Sequence, residues 1–200
     1  MTARHLTTAR LLAGTESSIR PGMSTWHVAI GALAHMCSAE LAQFRGQPPT
    51  VIAQRATEWV AANVKDVRVL GNLPKARMQI AAAACSYMHR FAPGLNTKYL
   101  GSEIAFDGGR IDLAWDVPDH GVIIDELKTQ TWVRLDINSA MLEQTSRYKS
   151  FGVNQWGEGF CGVRLLPLRH PAEARFAPAK GPIMRLADSA VSGIPWMASL

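Results

Sequence analysis

The stretch that most limits the fold is 121–128, Gly-Val-Ile-Ile-Asp-Glu-Leu-Lys, an apolar run that ends by delivering a carboxylate and an ammonium to one place. Read as a strand, it alternates its side chains, so Glu126 and Lys128 project together while Asp125 and Leu127 project to the opposite face. A second alternating segment, 109–115, precedes it, with Arg110, Asp112 and Ala114 on one face and Ile111, Leu113 and Trp115 on the other. A hairpin through Pro118-Asp119-His120-Gly121 would set Asp112 beside Glu126.

Two carboxylates and a lysine at neighbouring strand ends suit a hard cation. Carboxylate oxygens favour Mg²⁺ or Mn²⁺, which polarise a phosphate and activate water as a nucleophile. The lysine would orient that water or stabilise charge on the scissile phosphate.

The pattern Gly109-x-x-Asp112, then Glu126-Leu127-Lys128, then Gln144-x-x-x-Tyr148 resembles the PD-(D/E)xK nuclease superfamily, and within it the RecB-like and Cas4-like branch. Each piece is weak alone; their order and strand context carry the resemblance. It implies a restriction-endonuclease-like α/β core: a mixed central sheet of about four or five strands flanked by helices, after a helical N-terminal region. The implied function is a metal-dependent DNA nuclease, an exonuclease acting in DNA processing, repair or defence. Asp112 and Glu126 would bind Mg²⁺ or Mn²⁺, with the Leu127 carbonyl as a further ligand. Lys128 would assist the water, and Gln144 and Tyr148 would support the site. The rival expectation is a catalytically inactive module that kept the fold for DNA binding or assembly.

Apolar spacing predicts helices over 24–44, 50–64, 74–91 and 138–151, the last ending at Gly152. In the first, Gly31-x-x-x-His35 matches the family's early glycine and histidine, so the resemblance places His35 in the metal shell. His89 and Glu103 compete for that place. Arg147 and Lys149 flank the face of Gln144 and Tyr148, and Arg134 lies in the connection 129–136 that follows Lys128; all three are candidates to contact DNA phosphates. Trp132 is a candidate for stacking on a base.

Residues 1–98 form a basic helical region, 99–170 the catalytic core with a last strand over 159–168, and 171–200 an extension with little periodicity. Net charge is +5, but residues 1–100 hold 11 Lys or Arg against 4 Asp or Glu, while the second half holds 10 against 12. That skew fits a surface attracting a polyanion and a region gathering carboxylates. Three scattered cysteines, Cys37, Cys85 and Cys161, fit neither a disulfide framework nor a metal knuckle and read as buried thiols in a reducing cytoplasm. Four cysteines hold the iron–sulfur cluster of some relatives, so no cluster is expected here. No apolar stretch suits a membrane span or a signal core. The sequence carries no phosphate-binding loop, so a helicase or other ATP-driven processing partner would be a separate chain.

Overall fold

A computed structural model describes residues 25–65, 70–107, 109–129 and 137–192. Trp132 and Arg134 lie outside them. Within them the chain runs α1 (Thr25–Leu41), α2 (Pro49–Asn63), α3 (Leu73–Arg90), β1 (Lys98–Phe106), β2 (Gly109–Val117), β3 (Gly121–Lys128), α4 (Ser139–Trp156), β4 (Phe160–Pro167), β5 (Arg175–Pro178) and β6 (Met184–Arg185). The fold is α/β, with a helical N-terminal region and a mixed sheet flanked by helices, as expected.

The sheet has six strands in the order β1-β2-β3-β4-β5-β6. Only β3 and β4 run parallel, and α4 makes the crossover between them, as a parallel pair requires. The expected four or five strands omitted β5 and β6. These pair antiparallel onto β4 and onto each other, and at four and two residues they are too short to show alternation.

Burial divides along the two faces of the sheet. Ile123 and Leu127 of β3 pack with Leu33, Ala34, Ile52, Ile80 and Met88 of α1 to α3, whereas Val122 and Ile124 pack with Tyr148 of α4. The period of two in β3 therefore separates a three-helix layer from a one-helix layer. In β2 the expected alternation breaks. Leu113 and Trp115 join the α1 to α3 cluster, but Ile111 joins the α4 cluster. The break falls at Asp112, where β1 and β2 pair through Ser102 with Leu113 and Ile104 with Ile111 but not through the residues between.

Local chemistry explains the helix limits. Asn72 caps α3 through the Lys75 N–H, with a proline in the first turn, and Asn138 caps α4 through the Met141 N–H. Gly152 does not end α4. It lies inside the helix because a Cβ there would meet the Phe160 ring at 2.4 Å, so its bare Cα lets α4 settle on β4. The stop comes at Gly157, in the left-handed region at φ 58°. The β2–β3 turn places Asp119 at φ 64° and Gly121 at φ 86°, and a Cβ on Gly121 would sit 2.2 Å from the Gly159 carbonyl oxygen.

Candidate active site

β2 and β3 pair from Val117 with Gly121 to Leu113 with Asp125, and then part. Beyond that point β2 continues only beside β1, and β3 only beside β4. Continued by one pair, the register would set Asp112 opposite Glu126. The two carboxylates instead line the mouth of a fork, which opens a way through the sheet plane.

Asp112 stands at the split. Its Oδ2 accepts the Leu127 N–H at 2.7 Å, replacing the ladder partner that the parting strands remove. Its Oδ1 lies 3.0 Å from His35 Nδ1. With the carboxylate ionised, Nδ1 carries the proton and the neutral ring keeps its lone pair on Nε2. The fork thus lets a residue from the three-helix layer meet residues of α4. Gly31 explains how α1 comes so near: a Cβ on it would stand 3.1 Å from Thr129 Oγ1, just past the end of β3.

Glu126 is held from three sides. Lys128 Nζ donates to its Oε1 at 2.6 Å, Gln144 Nε2 to the same oxygen at 2.9 Å, and the Tyr148 hydroxyl lies 2.8 Å from Oε2. Gln144 Oε1 accepts from Lys128 at 3.0 Å, and its amide also donates to Tyr148 at 2.8 Å. The single Tyr148 proton is shared between Glu126 and the Arg110 carbonyl, also at 2.8 Å. Gln144 and Tyr148 act on one carboxylate because they stand four apart on α4.

Electrostatics sorts the two acids. Burial raises the Asp112 carboxyl, and the nearby Glu126 charge adds to this, outweighing His35 and the Leu127 N–H. Burial also opposes charge on Glu126, yet Lys128 overcomes it and holds Glu126 below the usual carboxylate range. For His35, burial disfavours the imidazolium but Asp112 more than restores it, so its pKa is raised.

His35, Gly109, Arg110, Asp112, Glu126, Gln144, Arg147 and Tyr148 line one cavity of about 340 Å³. Lys128 joins it through its bonds to Glu126 and Gln144. Lys149 does not: it donates to the Gly181 carbonyl. Glu103 pairs with Arg110 rather than with the carboxylates, and His89, at the end of α3, does not line the cavity. The Leu127 side chain is buried among the α1 to α3 core, leaving only its backbone at the site.

Arg110 received no role from the sequence, although its place two residues before Asp112 on an alternating segment was the available signal. A second feature lies behind β3. Asp125 and Arg164, each 0% exposed, form a two-pronged pair at 2.6 Å and 2.6 Å. Tyr87 and Trp115 also donate to Asp125, at 2.8 and 3.0 Å. The signal was a charge inside each of two apolar strands, which cannot be buried unpaired.

The donor set, two carboxylates and an imidazole on one cavity, matches the chemistry of a hard divalent cation. Among the described residues no three of His, Cys, Asp or Glu stand grouped to hold a metal ion. Cys37 is buried, while Cys85 and Cys161 are half-buried, less enclosed than expected; all three are free thiols. No helix among the described residues is long and apolar enough to cross a membrane. Comparison with family models, with characterised proteins and with solved structures finds no match.

Proposed function

We propose that the chain is a metal-dependent deoxyribonuclease of the PD-(D/E)xK type that hydrolyses phosphodiester bonds. One observation carries the reading: Asp112, Glu126, Gln144 and Tyr148, which come from β2, β3 and α4, line one cavity, and Lys128 bonds to two of them, Glu126 and Gln144. Arg147 stands at the same cavity to receive phosphate.

Asp112, Glu126 and His35 would hold Mg²⁺ or Mn²⁺, with the Leu127 carbonyl beside them. Bound there, the ion supplies Lewis acidity toward phosphoryl oxygen and toward water. The protein's own groups do the rest. Lys128 gives a cation to the attacking water and to charge growing on the phosphate. Gln144 holds that ammonium through Oε1 and Glu126 through Nε2, fixing their separation. Tyr148 keeps the second Glu126 oxygen oriented, and the fork between β2 and β3 admits His35.

A second reading, an inactive nuclease-fold module that binds DNA, draws on the closed Glu126–Lys128 pair and the ungrouped ligands. Cleavage of linear and circular DNA, single- and double-stranded, decides between them. The proposal expects activity with Mg²⁺ or Mn²⁺ that vanishes in EDTA and in Lys128→Ala, and greater activity on linear than on circular substrate for exonucleolytic action. Salt-sensitive DNA binding without cleavage under any of these conditions would favour the inactive module.

A further inference from the structure

We propose that Arg110 is a phosphate-binding residue of this cavity, occupied in the free protein by Glu103, whose carboxylate a nucleic-acid phosphate displaces. The inference rests on the nuclease reading and adds to it a substrate contact and a competitor for that contact.

Arg110 reaches the cavity from β2 and Arg147 from α4, so two guanidinium residues line a space that also holds two carboxylates. The Arg110 main chain is fixed, because its carbonyl accepts from the same Tyr148 hydroxyl that contacts Glu126. Its side chain is another matter. It is 57% exposed and makes one described contact, from Nη1 to Glu103 Oε2 at 3.0 Å. A guanidinium offers five donors in a planar fork suited to two oxygens of a phosphate. A single exposed contact therefore uses little of what Arg110 can give, and exchanging it costs about two- to fivefold in an equilibrium.

Glu103 is the independent observation. It sits at φ 52° in the middle of β1, in the left-handed region that non-glycine residues seldom adopt. The β1–β2 ladder skips it together with Asp112. A strand position kept in that conformation carries a carboxylate to Arg110, on the edge of a cavity that already holds the Asp112 and Glu126 carboxylates. Burial and the nearby Asp112 charge push its carboxyl up, and its bond to Arg110 works against that. An internal carboxylate on the fork of Arg110 stands where a phosphate oxygen would bind.

The test is binding of fluorescein-labelled single- and double-stranded DNA oligonucleotides by the full chain in EDTA, followed by anisotropy. Arg110→Ala should weaken binding about tenfold, the loss of a charge-assisted contact. Glu103→Gln should tighten it about two- to fivefold, and the gain should vanish in the double variant, because it acts through Arg110 rather than through net charge. Glu103→Gly, which tolerates the left-handed backbone, should bind as Glu103→Gln does. Unchanged or weaker binding by Glu103→Gln, or a gain that persists without Arg110, overturns the proposal. So does a loss of Mn²⁺ affinity in Glu103→Gln, which would put Glu103 in the metal shell. Wild type that cleaves DNA while both single variants match its binding sinks this inference alone; wild type that neither binds nor cleaves DNA sinks the nuclease reading with it.

Discussion

Asp112 Oδ2 accepts the backbone N–H of Leu127 at 2.7 Å, so a carboxylate of β2 completes the hydrogen bonding of β3 where the two strands separate. Structural and chemical roles thus fall on the same side chain, and two substitutions separate them. Asp112→Asn keeps an oxygen for the Leu127 N–H and removes the charge. It should melt close to wild type in urea, while Mn²⁺ affinity measured by calorimetry and DNA cleavage both fall at least about a hundredfold. Asp112→Ala should lose the same activity and also about 1–3 kcal/mol of stability, because a buried N–H is left without a partner. If Asp112→Asn cleaves DNA at the wild-type rate, the carboxylate is not a ligand.

Lys128 and Glu126 form the tightest charged contact at the cavity, with Lys128 20% and Glu126 6% exposed at their side chains. Lys128→Met leaves a buried carboxylate with Gln144 and Tyr148 but no cation. Metal-free stability should drop by about 1–3 kcal/mol, and Mn²⁺ should restore more of it than in wild type, because the ion replaces the lost charge. Cleavage should fall by a factor on the order of 10² to 10³ with DNA binding nearly kept. Equal destabilisation with and without Mn²⁺ would place the metal away from Glu126.

The alternation of β3 was legible because a strand buried on both sides shows every second residue to a different layer. That reading put Glu126 and Lys128 on one face and Asp125 on the other, where the structure has them. The fork was not legible, since residues 109–115 alternate smoothly and nothing in them marks where pairing stops. Nor was Gly152 readable as a helix interior: glycine stops helices often, and only the Phe160 ring beside it shows why this one does not. Gly31 was noticed only through its spacing to His35; its close approach to Thr129 at the end of β3 shows in the structure. Strands β5 and β6 escaped notice for want of length.

The His35 and Asp112 pair gives the metal-free protein a pH dependence with a defined sign. Burial opposes the imidazolium and Asp112 outweighs it, so the folded pKa lies above the ordinary 6.5. A group raised in this way contributes stability that is fully present below its unfolded pKa and is lost as pH rises through the folded value. In EDTA, the stability advantage of wild type over His35→Asn should therefore shrink as pH rises above the ordinary histidine value of 6.5. Thermal melts of both proteins on either side of that value check it, and an advantage that grows with pH would mean that His35 is held neutral.

Behind β3, Asp125 and Arg164 are directly paired in the β3–β4 register and bonded through both carboxylate oxygens, with Tyr87 and Trp115 closing the remaining approach. The Arg164 guanidinium also donates to the Phe91 carbonyl at the end of α3, so one buried ion pair ties the helical layer to the two central strands. Removing one partner strands the other in the core. Asp125→Ala or Arg164→Ala should each cost about 3–5 kcal/mol in urea unfolding, whereas Asp125→Leu with Arg164→Met should recover most of that loss, since apolar replacement also removes the desolvation penalty. The recovered variant carries the functional test. Asp125 immediately precedes Glu126, so if the ion pair orients the strand that presents Glu126 and Lys128, the double variant should fold and bind DNA but cleave it at least about tenfold more slowly, with kcat rather than KM affected. A double variant as stable and as active as wild type would confine the ion pair to stability.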